Sequence, residues 1–282
     1  MVDALKNLSE ENVEFTEFCD YLQKASGITI APGKTYLVSA RIRQIMVDYD
    51  FKSLSDLVHQ LKGYNKGLQQ KVVDAMTTNE TFWFRDNYPF DYFSKTLLPA
   101  WNADKRYEHK PIRIWSAACS SGQEPYSLAM LIEEYKEKHN FTKRVEIIAT
   151  DLSSQVLENA KLGEYDHLSI GRGLSKERLG KFFTSSCQKR WTVTPAIRKH
   201  IRFQPINLLE SYANLGKFDI IFCRNVLIYF TKETKSSMLT RMHQALNPEG
   251  YICLGSSEGL GDVSSLFNMV NCQPGLIYQS KP

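Results

Sequence analysis

A strand, a tight turn and a helix follow one another between residues 112 and 130, and this order constrains the fold more than any other feature of the chain. The apolar run Ile112–Ala117 ends in small residues and one glycine, Gly122, and then changes to an apolar pattern of helical period. Pro125 stands near the start of that helix, where a missing N–H costs little. In an open α/β sheet such a turn lies at the carboxyl end of the strands, and small side chains let a ligand approach the backbone. The stretch therefore predicts an α/β domain with a binding site after this strand.

The residues of this turn argue against two common phosphate sites and favour a ligand with an amino group. The full G-x-G-x-x-G spacing of a dinucleotide site is absent, and so is the G-K-[ST] of a phosphate loop. Glu124 would repel a pyrophosphate but would suit an amine, and an amino-acid amine on a nucleoside is what S-adenosylmethionine presents. The alternative is that Glu124 only stabilises the first turn of its helix through the helix dipole. The residues alone leave both interpretations open.

A second short apolar strand, Arg144–Asp151, also ends in an acidic residue. An acid at this position of a nucleoside-binding α/β fold accepts hydrogen bonds from ribose hydroxyls. A single aspartate after a strand is also a common N-cap of the next helix. Asp151 therefore has two interpretations, and its place one βα unit after the glycine turn keeps the ligand interpretation open.

Composition bounds the class of protein. The chain has 282 residues, of which 43% are hydrophobic and 12% aromatic, enough for one large domain and a small one. Its net charge of +4 is well short of that of a dedicated nucleic-acid binder. The six cysteines form no C-x-x-C pair and have no histidine at zinc spacing, so we expect reduced thiols and no metal site. No signal peptide and no apolar run of about 18 residues is found, which predicts a cytoplasmic protein without membrane insertion.

The first 76 residues predict a module built only of helices. Apolar residues recur at helical spacing from about Glu11 to Met76, with breaks at Gly27, after Pro32 and at Gly63. No acidic residue lies between Tyr21 and Val47. The basic residues in that interval are Lys24, Lys34, Arg41 and Arg43. They form either an ordinary solvated helix face or a docking surface for an acidic partner.

Polar and aromatic residues alternate in the segment that follows the helical module. Asn79, Thr81 and Arg85 surround the aromatic run Phe82–Phe84. The segment is either a capped helix start whose aromatics anchor the module, or a polar lip over a ligand with Arg85 as a fixed positive group. The sequence position favours neither.

The regular α/β order is interrupted between Leu162 and Arg202. Glycines punctuate this region, and three short apolar runs predict strands in a small β-rich insertion; the runs are Phe182–Phe183, Trp191–Thr194 and Ile201–Phe203. The run beginning at Phe218 is the most apolar in the chain and fits a central parallel strand buried on both faces. Polar residues follow at its end, where a site would lie: Arg224, Asn225 and Tyr229. A closing antiparallel hairpin is predicted near residues 268–279.

Four motifs together resemble the CheR-type family of chemotaxis receptor methyltransferases, which are protein-glutamate O-methyltransferases. The motifs are Thr77–Arg85, Trp115–Ser127, Ala149–Asp151 and Phe222–Phe230. They occur in the family's order and extend across most of the chain. The resemblance implies a Rossmann-like S-adenosylmethionine-dependent methyltransferase domain at 99–282, an all-helical N-terminal receptor-docking domain at 1–76 and a linker at 77–98. It also implies an inserted small antiparallel β-subdomain at about 165–202.

The resemblance further implies a set of functional residues and a reaction. The residues implied to contact the cofactor are Asn79, Thr81 and Arg85 from the N-terminal side, Glu124 at the amino group, Asp151 at the ribose, Asn207 and Leu208 beside the adenine, and Arg224 and Asn225 at the methionine part. Arg85 and Tyr229 would lie closest to the transferred methyl group and are the expected catalytic residues. Lys34, Arg41 and Arg43 would dock the substrate, the cytoplasmic helical domain of a chemoreceptor. The products would be a glutamate methyl ester and S-adenosylhomocysteine.

Two other functions are compatible with parts of the pattern. A Rossmann-like methyltransferase acting on RNA or a small molecule would carry a strong basic stripe or a lid, and the mild net charge argues against RNA. A non-enzymatic adaptor could bind the cofactor and dock on receptors. The turn Thr184–Trp191 is shorter than in family members that dock on a receptor's C-terminal tether peptide, and it lacks glycine. This difference predicts an enzyme that acts without the tether.

Overall fold

A computed structural model describes residues 2–31, 33–185 and 190–281, with side chains described from residue 13 onward. Half of the turn at 184–191, on which the expected independence from a tether rests, lies outside the described residues, namely 186–189. Within them, no helix is both long enough and apolar enough to cross a membrane.

The predicted helical module is present at the N-terminus. Its four helices are α1 (Val2–Ser26), α2 (Thr35–Asp48), α3 (Leu54–Leu61) and α4 (Lys66–Met76). The Ser53 hydroxyl caps α3 by accepting the backbone N–H of Asp56, and the Asp56 carboxylate accepts the backbone N–H of Ser53, which completes a capping box. The apolar stripes of the four helices meet in a core of their own, which includes Phe18, Ile42 and Leu57.

A helical segment connects the module to the α/β domain. Two short helices, α5 (Tyr88–Tyr92) and α6 (Leu98–Ala103), are joined by one turn of π-helix at Phe93–Leu97. Phe90 and Phe93 from this segment pack against Phe222 in the main sheet. These aromatic contacts fix the direction in which the linker enters the domain.

Ten strands form two sheets. They are β1 (Ile112–Ala117), β2 (Val145–Asp151), β3 (Glu164–Tyr165), β4 (Phe183–Ser185), β5 (Trp191–Val193), β6 (Ile201–Pro205), β7 (Phe218–Cys223), β8 (Leu246–Leu254), β9 (Phe267–Cys272) and β10 (Gly275–Ser280). The main sheet has the order β6-β2-β1-β7-β8-β10-β9. Its first five strands are parallel, and β10 pairs antiparallel with both β8 and β9. The closing hairpin and the Rossmann-like order predicted from sequence are both confirmed.

The remaining helices flank the main sheet or belong to the insertion. They are α7 (Gln123–Lys138), α8 (Ser154–Leu162), α9 (His167–Ile170), α10 (Lys176–Phe182), α11 (Pro195–Arg198) and α12 (Lys232–Ala245). Every residue of β7 is buried, as its apolar run predicted. Alternate residues along the central strands enter two separate apolar cores, so Ile220 packs in one and Ile221 in the other. The sheet is therefore covered on both faces.

The insertion contains the predicted small antiparallel sheet, with the order β3-β5-β4. One of the three runs predicted to belong to the insertion does not, so that prediction is wrong. Ile201–Phe203 lies in β6, an edge strand of the main sheet, because Ile201 pairs in parallel register with Ile147 of β2. A short apolar run at the end of an insertion has the same sequence pattern whether its strand pairs within the insertion or with a distant parallel strand. The local pattern therefore could not identify the pairing partner.

Candidate cofactor-binding and active site

A cleft of about 840 Å³ lies between the helical module, the linker and the carboxyl ends of β1, β2 and β7. Twelve of the thirteen residues singled out from sequence line it; they are Lys34, Arg41, Asn79, Thr81, Arg85, Glu124, Asp151, Asn207, Leu208, Arg224, Asn225 and Tyr229. The remaining one, Arg43, is exposed and does not line the cleft. The parallel strands bring Glu124, Asp151 and Arg224 together because their carboxyl ends meet at one edge of the sheet. The helical module and the linker supply five of the others, namely Lys34, Arg41, Asn79, Thr81 and Arg85.

Strained backbone surrounds the cleft. Among the described residues, eight that are not glycine have a positive φ, and six of them lie in three segments at the cleft. The six are Phe84, Asp86, Asn87, Ala118, Ser120 and Asn225. Such conformations cost free energy and persist only where the surrounding structure holds them, which is typical of functional sites.

The turn after β1 has the close packing that its small residues predicted. Gly122 has a φ of 92°, and a Cβ placed on it would lie 3.1 Å from the Cβ of Ala160 in α8. Ser120, with a φ of 50°, donates its backbone N–H to Asp151 at 2.8 Å. The turn is therefore fixed both to the helix behind it and to the end of the neighbouring strand.

Glu124 projects from the first turn of α7 into a network of hydrogen bonds. Its Oε1 accepts a hydrogen bond from the Ser116 hydroxyl at 2.7 Å, and its Oε2 accepts one from Nη1 of Arg224 at 3.1 Å. A carboxylate that served only the helix dipole would have no need of a serine and a buried arginine. The contacts fix the orientation of the carboxylate at the wall of the cleft.

Arg224 connects β7 to the linker as well as to Glu124. Its Nη2 donates to the carbonyl oxygen of Arg85 at 2.6 Å and to Oδ2 of Asp86 at 2.8 Å. The side chain is only 2% exposed. Burial alone would lower the pKa of Arg224, but the charges of Glu124 and Asp86 hold that pKa above its ordinary value. Arg224 lines the cleft as expected, and its guanidinium also joins the linker to the sheet through hydrogen bonds.

Asp151 is held by backbone donors. Its Oδ2 accepts from the N–H of Ser120 and its Oδ1 accepts from the N–H of Ser153, at 2.8 and 2.9 Å. The N-cap of α8 is Ser153, whose hydroxyl accepts from the N–H of Val156, so the N-cap interpretation of Asp151 is wrong. Burial raises the pKa of Asp151 above its ordinary value, and the backbone hydrogen bonds only partly offset this.

The linker residues form the upper wall of the cleft. The Asn79 carbonyl accepts a hydrogen bond from the Ser120 hydroxyl at 2.8 Å. The Arg85 guanidinium lies 5.3 Å from the centre of the Phe82 ring and donates from Nη1 to the Glu80 carbonyl at 3.2 Å. Trp83 is fully buried and donates from Nε1 to the carbonyl of Ser169 in the insertion. The linker therefore lines the cleft and is also anchored through its aromatic residues, but the expected capped helix start is wrong, since in the described part of the chain no linker residue before Tyr88 begins a helix and no side chain caps α5.

The helical module closes the remaining side. Thr29 donates from its backbone N–H and its hydroxyl to the Tyr229 carbonyl, each at 2.9 Å. Asn207 donates from Nδ2 to the carbonyl of Ala25, at the end of α1, at 2.7 Å. Arg41 donates from Nη1 to the carbonyls of Met76 and Thr77 and from Nη2 to the Thr78 hydroxyl. Arg41 therefore supports the start of the linker, a contact that its sequence context did not indicate.

Sequence reasoning missed three residues that shape the site. Asp86 pairs with Arg224, Thr29 pairs with the Tyr229 backbone, and Glu258 accepts hydrogen bonds from the loop after β7. Asp86 stands directly beside a residue that was singled out, so its position was a usable signal. Thr29 and Glu258 bind backbone groups about 200 and 30 residues away along the chain, and no local pattern marks such partners.

Two family models match the chain. The CheR methyltransferase SAM-binding domain matches residues 79–276, and the CheR methyltransferase all-alpha domain matches residues 13–77. The chain belongs to the CheR methyltransferase family. A "Chemotaxis protein methyltransferase 1" of Pseudomonas aeruginosa is 50% identical over 277 residues, which cover 97% of this chain and 100% of the relative.

Two further CheR relatives are similar over nearly their full lengths. "Chemotaxis protein methyltransferase Cher2" of Pseudomonas putida is 48% identical, covering 97% of this chain and 100% of the relative. "Chemotaxis protein methyltransferase 1" of Vibrio cholerae is 48% identical, covering 95% of this chain and 97% of the relative. The protein is thus a CheR methyltransferase with S-adenosylmethionine as its cofactor, as the sequence motifs indicated.

The cleft of this CheR methyltransferase offers groups that fit the cofactor. Glu124 is a carboxylate suited to an ammonium group, and Asp151 is a buried acceptor suited to hydroxyl groups. The apolar residues Ile206 and Leu208 also line the cleft and suit a flat purine. Among the described residues, no group of three or more His, Cys, Asp or Glu side chains could hold a metal ion.

Proposed function

We propose that this CheR methyltransferase transfers the methyl group of S-adenosylmethionine to glutamate side chains of chemotaxis receptors, forming methyl esters. The observation that carries the proposal is one cleft lined by Glu124 and Asp151 together with Arg85 and Tyr229. The first pair suits the cofactor, and the second pair supplies donors for a substrate carboxylate. The names of the relatives, which are chemotaxis methyltransferases, support the choice of receptors as substrate.

The reaction does not need a general base on the protein. A glutamate side chain is ionised at neutral pH, because its ordinary pKa is about 4.3. One of its oxygens attacks the methyl carbon, the carbon–sulfur bond breaks, and the electron pair of that bond stays on sulfur. The negative charge of the carboxylate and the positive charge of the sulfonium both disappear. Catalysis therefore rests on alignment of the two reactants.

Arg85 and Tyr229 have the chemistry to provide that alignment. Arg85 is anchored by Phe82 and the Glu80 carbonyl, so its guanidinium is partly preorganised to orient a carboxylate. Tyr229 is held through its backbone by Thr29, which leaves its hydroxyl to donate one hydrogen bond to the substrate. Neither group should stabilise the carboxylate too strongly, because charge is lost in the transition state and ground-state stabilisation would slow the reaction.

The receptor helix is proposed to dock on the basic residues of the helical module. The structure separates these residues into two that are exposed and one that is already bound to the linker. Arg43 is exposed on α2, and Lys34 is exposed at the N-cap of that helix. Arg41 is already hydrogen-bonded to the start of the linker, so its substitution would disturb the cofactor cleft as well. Arg43 is consequently the cleaner probe of docking.

We expect Arg43→Glu to raise the KM for receptor about 5- to 10-fold while leaving the KM for S-adenosylmethionine unchanged, since positive patches mainly steer association with an acidic surface. Initial rates of methyl transfer measured against each substrate test this. The matched control is Lys66→Glu, which makes the same charge change at an exposed position of α4. Equal increases in the receptor KM for both variants would contradict a specific docking role for Arg43.

The proposed reaction is tested by incubating the protein with methyl-labelled S-adenosylmethionine and membranes that carry chemotaxis receptors. Label should appear in the receptor, should be released as methanol at alkaline pH, and should map to glutamate. The matched control is Arg85→Ala, which removes the guanidinium proposed to orient the carboxylate. Label that resists alkali, or that appears in RNA or a small molecule, would contradict the proposed substrate.

A further inference from the structure

The carboxylate of Glu258 accepts several backbone hydrogen bonds from the loop that follows β7. Oε2 of Glu258 accepts the N–H groups of Asn225 and Gly255, each at 2.7 Å. Oε1 accepts the N–H groups of Leu227 at 2.7 Å and Ile228 at 3.3 Å. All four donors are backbone groups, so the arrangement does not depend on the side chains of the loop.

Three features show that the loop is shaped around this carboxylate. Leu227 and Ile228 begin a single turn of 3-10 helix, and the first N–H groups of a helix have no partner within it. Asn225 has a φ of 57°, which needs support from its surroundings. A Cβ on Gly255 would lie 2.6 Å from Oε2 of Glu258, so the close approach requires glycine there.

We propose that Glu258 is a positioning residue for methyl transfer, because it fixes the segment that carries Asn225 and Tyr229 into the cleft. Without it, three loop N–H groups would lose their acceptor and the strained turn at Asn225 would relax. The positions of Asn225 beside the cofactor and of Tyr229 beside the substrate would then become variable. A displacement of about 1 Å at such a site can lower the rate about 100-fold.

The inference has two parts that depend on different premises. The effect on cofactor binding rests on the cofactor of the family and on the expected place of Asn225 beside it. The effect on methyl transfer rests on the proposed function, since Tyr229 is assigned to the receptor carboxylate there. Binding and turnover are therefore measured separately.

The test uses Glu258→Gln in the full chain. The glutamine keeps the volume of the side chain, but its NH2 group faces two of the N–H donors and cannot accept from them. We expect the affinity for S-adenosylhomocysteine to fall about 10-fold and kcat with receptor to fall about 100-fold, with the receptor KM little changed. Gly255→Ala should displace the Glu258 carboxylate, because the added methyl group would lie 2.6 Å from Oε2, and it should lower affinity and kcat in the same way.

Asp219→Asn is the matched control. Like Glu258, Asp219 is a carboxylate that accepts from several donors, namely the Tyr107 hydroxyl, the Arg113 N–H and the Asn247 amide, but it lies near the opposite end of β7. This variant should lose thermal stability and keep both its affinity and its kcat at a temperature where it is folded. Glu258→Gln should retain more activity than Glu258→Ala, because one oxygen of the glutamine can still accept from two of the N–H groups.

Two results would overturn the inference. One is wild-type affinity and kcat in folded Glu258→Gln. The other is an equal loss of affinity and kcat in Asp219→Asn, which would make the effect one of general destabilisation. If the wild-type protein labels no receptor, the proposed function fails, and the comparison of affinities still decides whether Glu258 positions the cofactor loop.

Discussion

At the scale of single residues, the cleft is organised by one buried arginine shared between two carboxylates. Arg224 binds Glu124 on the sheet side and Asp86 on the linker side. A buried charge that loses a partner is expensive, because desolvation is no longer compensated. The triad therefore makes the position of Glu124 depend on the position of the linker, and a change at either end is transmitted to the proposed amine site.

The charged form of Asp151, unlike that of Arg224, is destabilised by its surroundings. Its pKa is raised by burial, so it lies above the value of about 3.9 that an aspartate has in an unfolded chain. The ionised carboxylate consequently costs folding free energy at neutral pH, and this cost disappears as the pH falls below both pKa values. A buried acid that weakens the fold and lines a cleft is a candidate for binding rather than for stability.

At the scale of the secondary-structure elements, the contact between α1 and the loop after β7 depends on one glycine. Gly27 follows α1 with a φ of 77°, and a Cβ there would lie 2.8 Å from the Phe230 ring. We expect Gly27→Ala to lower the free energy of unfolding by about 2–4 kcal/mol, the sum of backbone strain and overpacking. Urea unfolding measures this loss.

Gly33→Ala separates the two contributions. Gly33 has a φ of 81°, close to that of Gly27, but a Cβ on it would meet nothing within 4 Å. Its substitution should therefore cost only the strain, about 1–2 kcal/mol. If the two variants lost equal stability, the packing of α1 against Phe230 would contribute nothing and our description of this contact would be wrong.

At the scale of the whole molecule, the helical module is one wall of the candidate cofactor cleft as well as the proposed docking domain. Residues of α2 and of the segment between α1 and α2 line the cleft together with the strand ends. Hydrogen bonds from Thr29, Arg41 and Asn207 join the module to the rest of the site. A receptor helix bound to the module would therefore lie against the wall of the cleft in which the cofactor is expected.

Much of this arrangement could be predicted from sequence because the signals are local. The buried run of β7, the small turn before Gly122 and the apolar spacing of the four N-terminal helices each follow from neighbouring residues. The strand ends also indicated where polar side chains would converge.

The remainder depends on partners that are distant in sequence. The pairing of Ile201 with β2, the contacts of Arg41 with the linker and the binding of three loop N–H groups by Glu258 all join segments that no periodicity connects. A basic helix has the same pattern whether each arginine faces solvent or a backbone carbonyl. These contacts are set by the tertiary fold, so only the structure reveals them.

The central claim is that Glu124 meets the amino group of the cofactor in this cleft, and calorimetry of two ligands tests it most directly. S-adenosylhomocysteine carries the amino-acid group, whereas 5′-methylthioadenosine keeps the adenine and ribose and lacks that group. Glu124→Gln removes the charge and retains the shape of the side chain. Comparing both ligands on both proteins separates loss of the ammonium contact from general damage to the cleft.

We predict that Glu124→Gln weakens the binding of S-adenosylhomocysteine about 10- to 100-fold, or about 1.4–2.8 kcal/mol, and changes the binding of 5′-methylthioadenosine by less than about 2-fold. Unchanged affinity for S-adenosylhomocysteine, or an equal loss for both ligands, would contradict the claim.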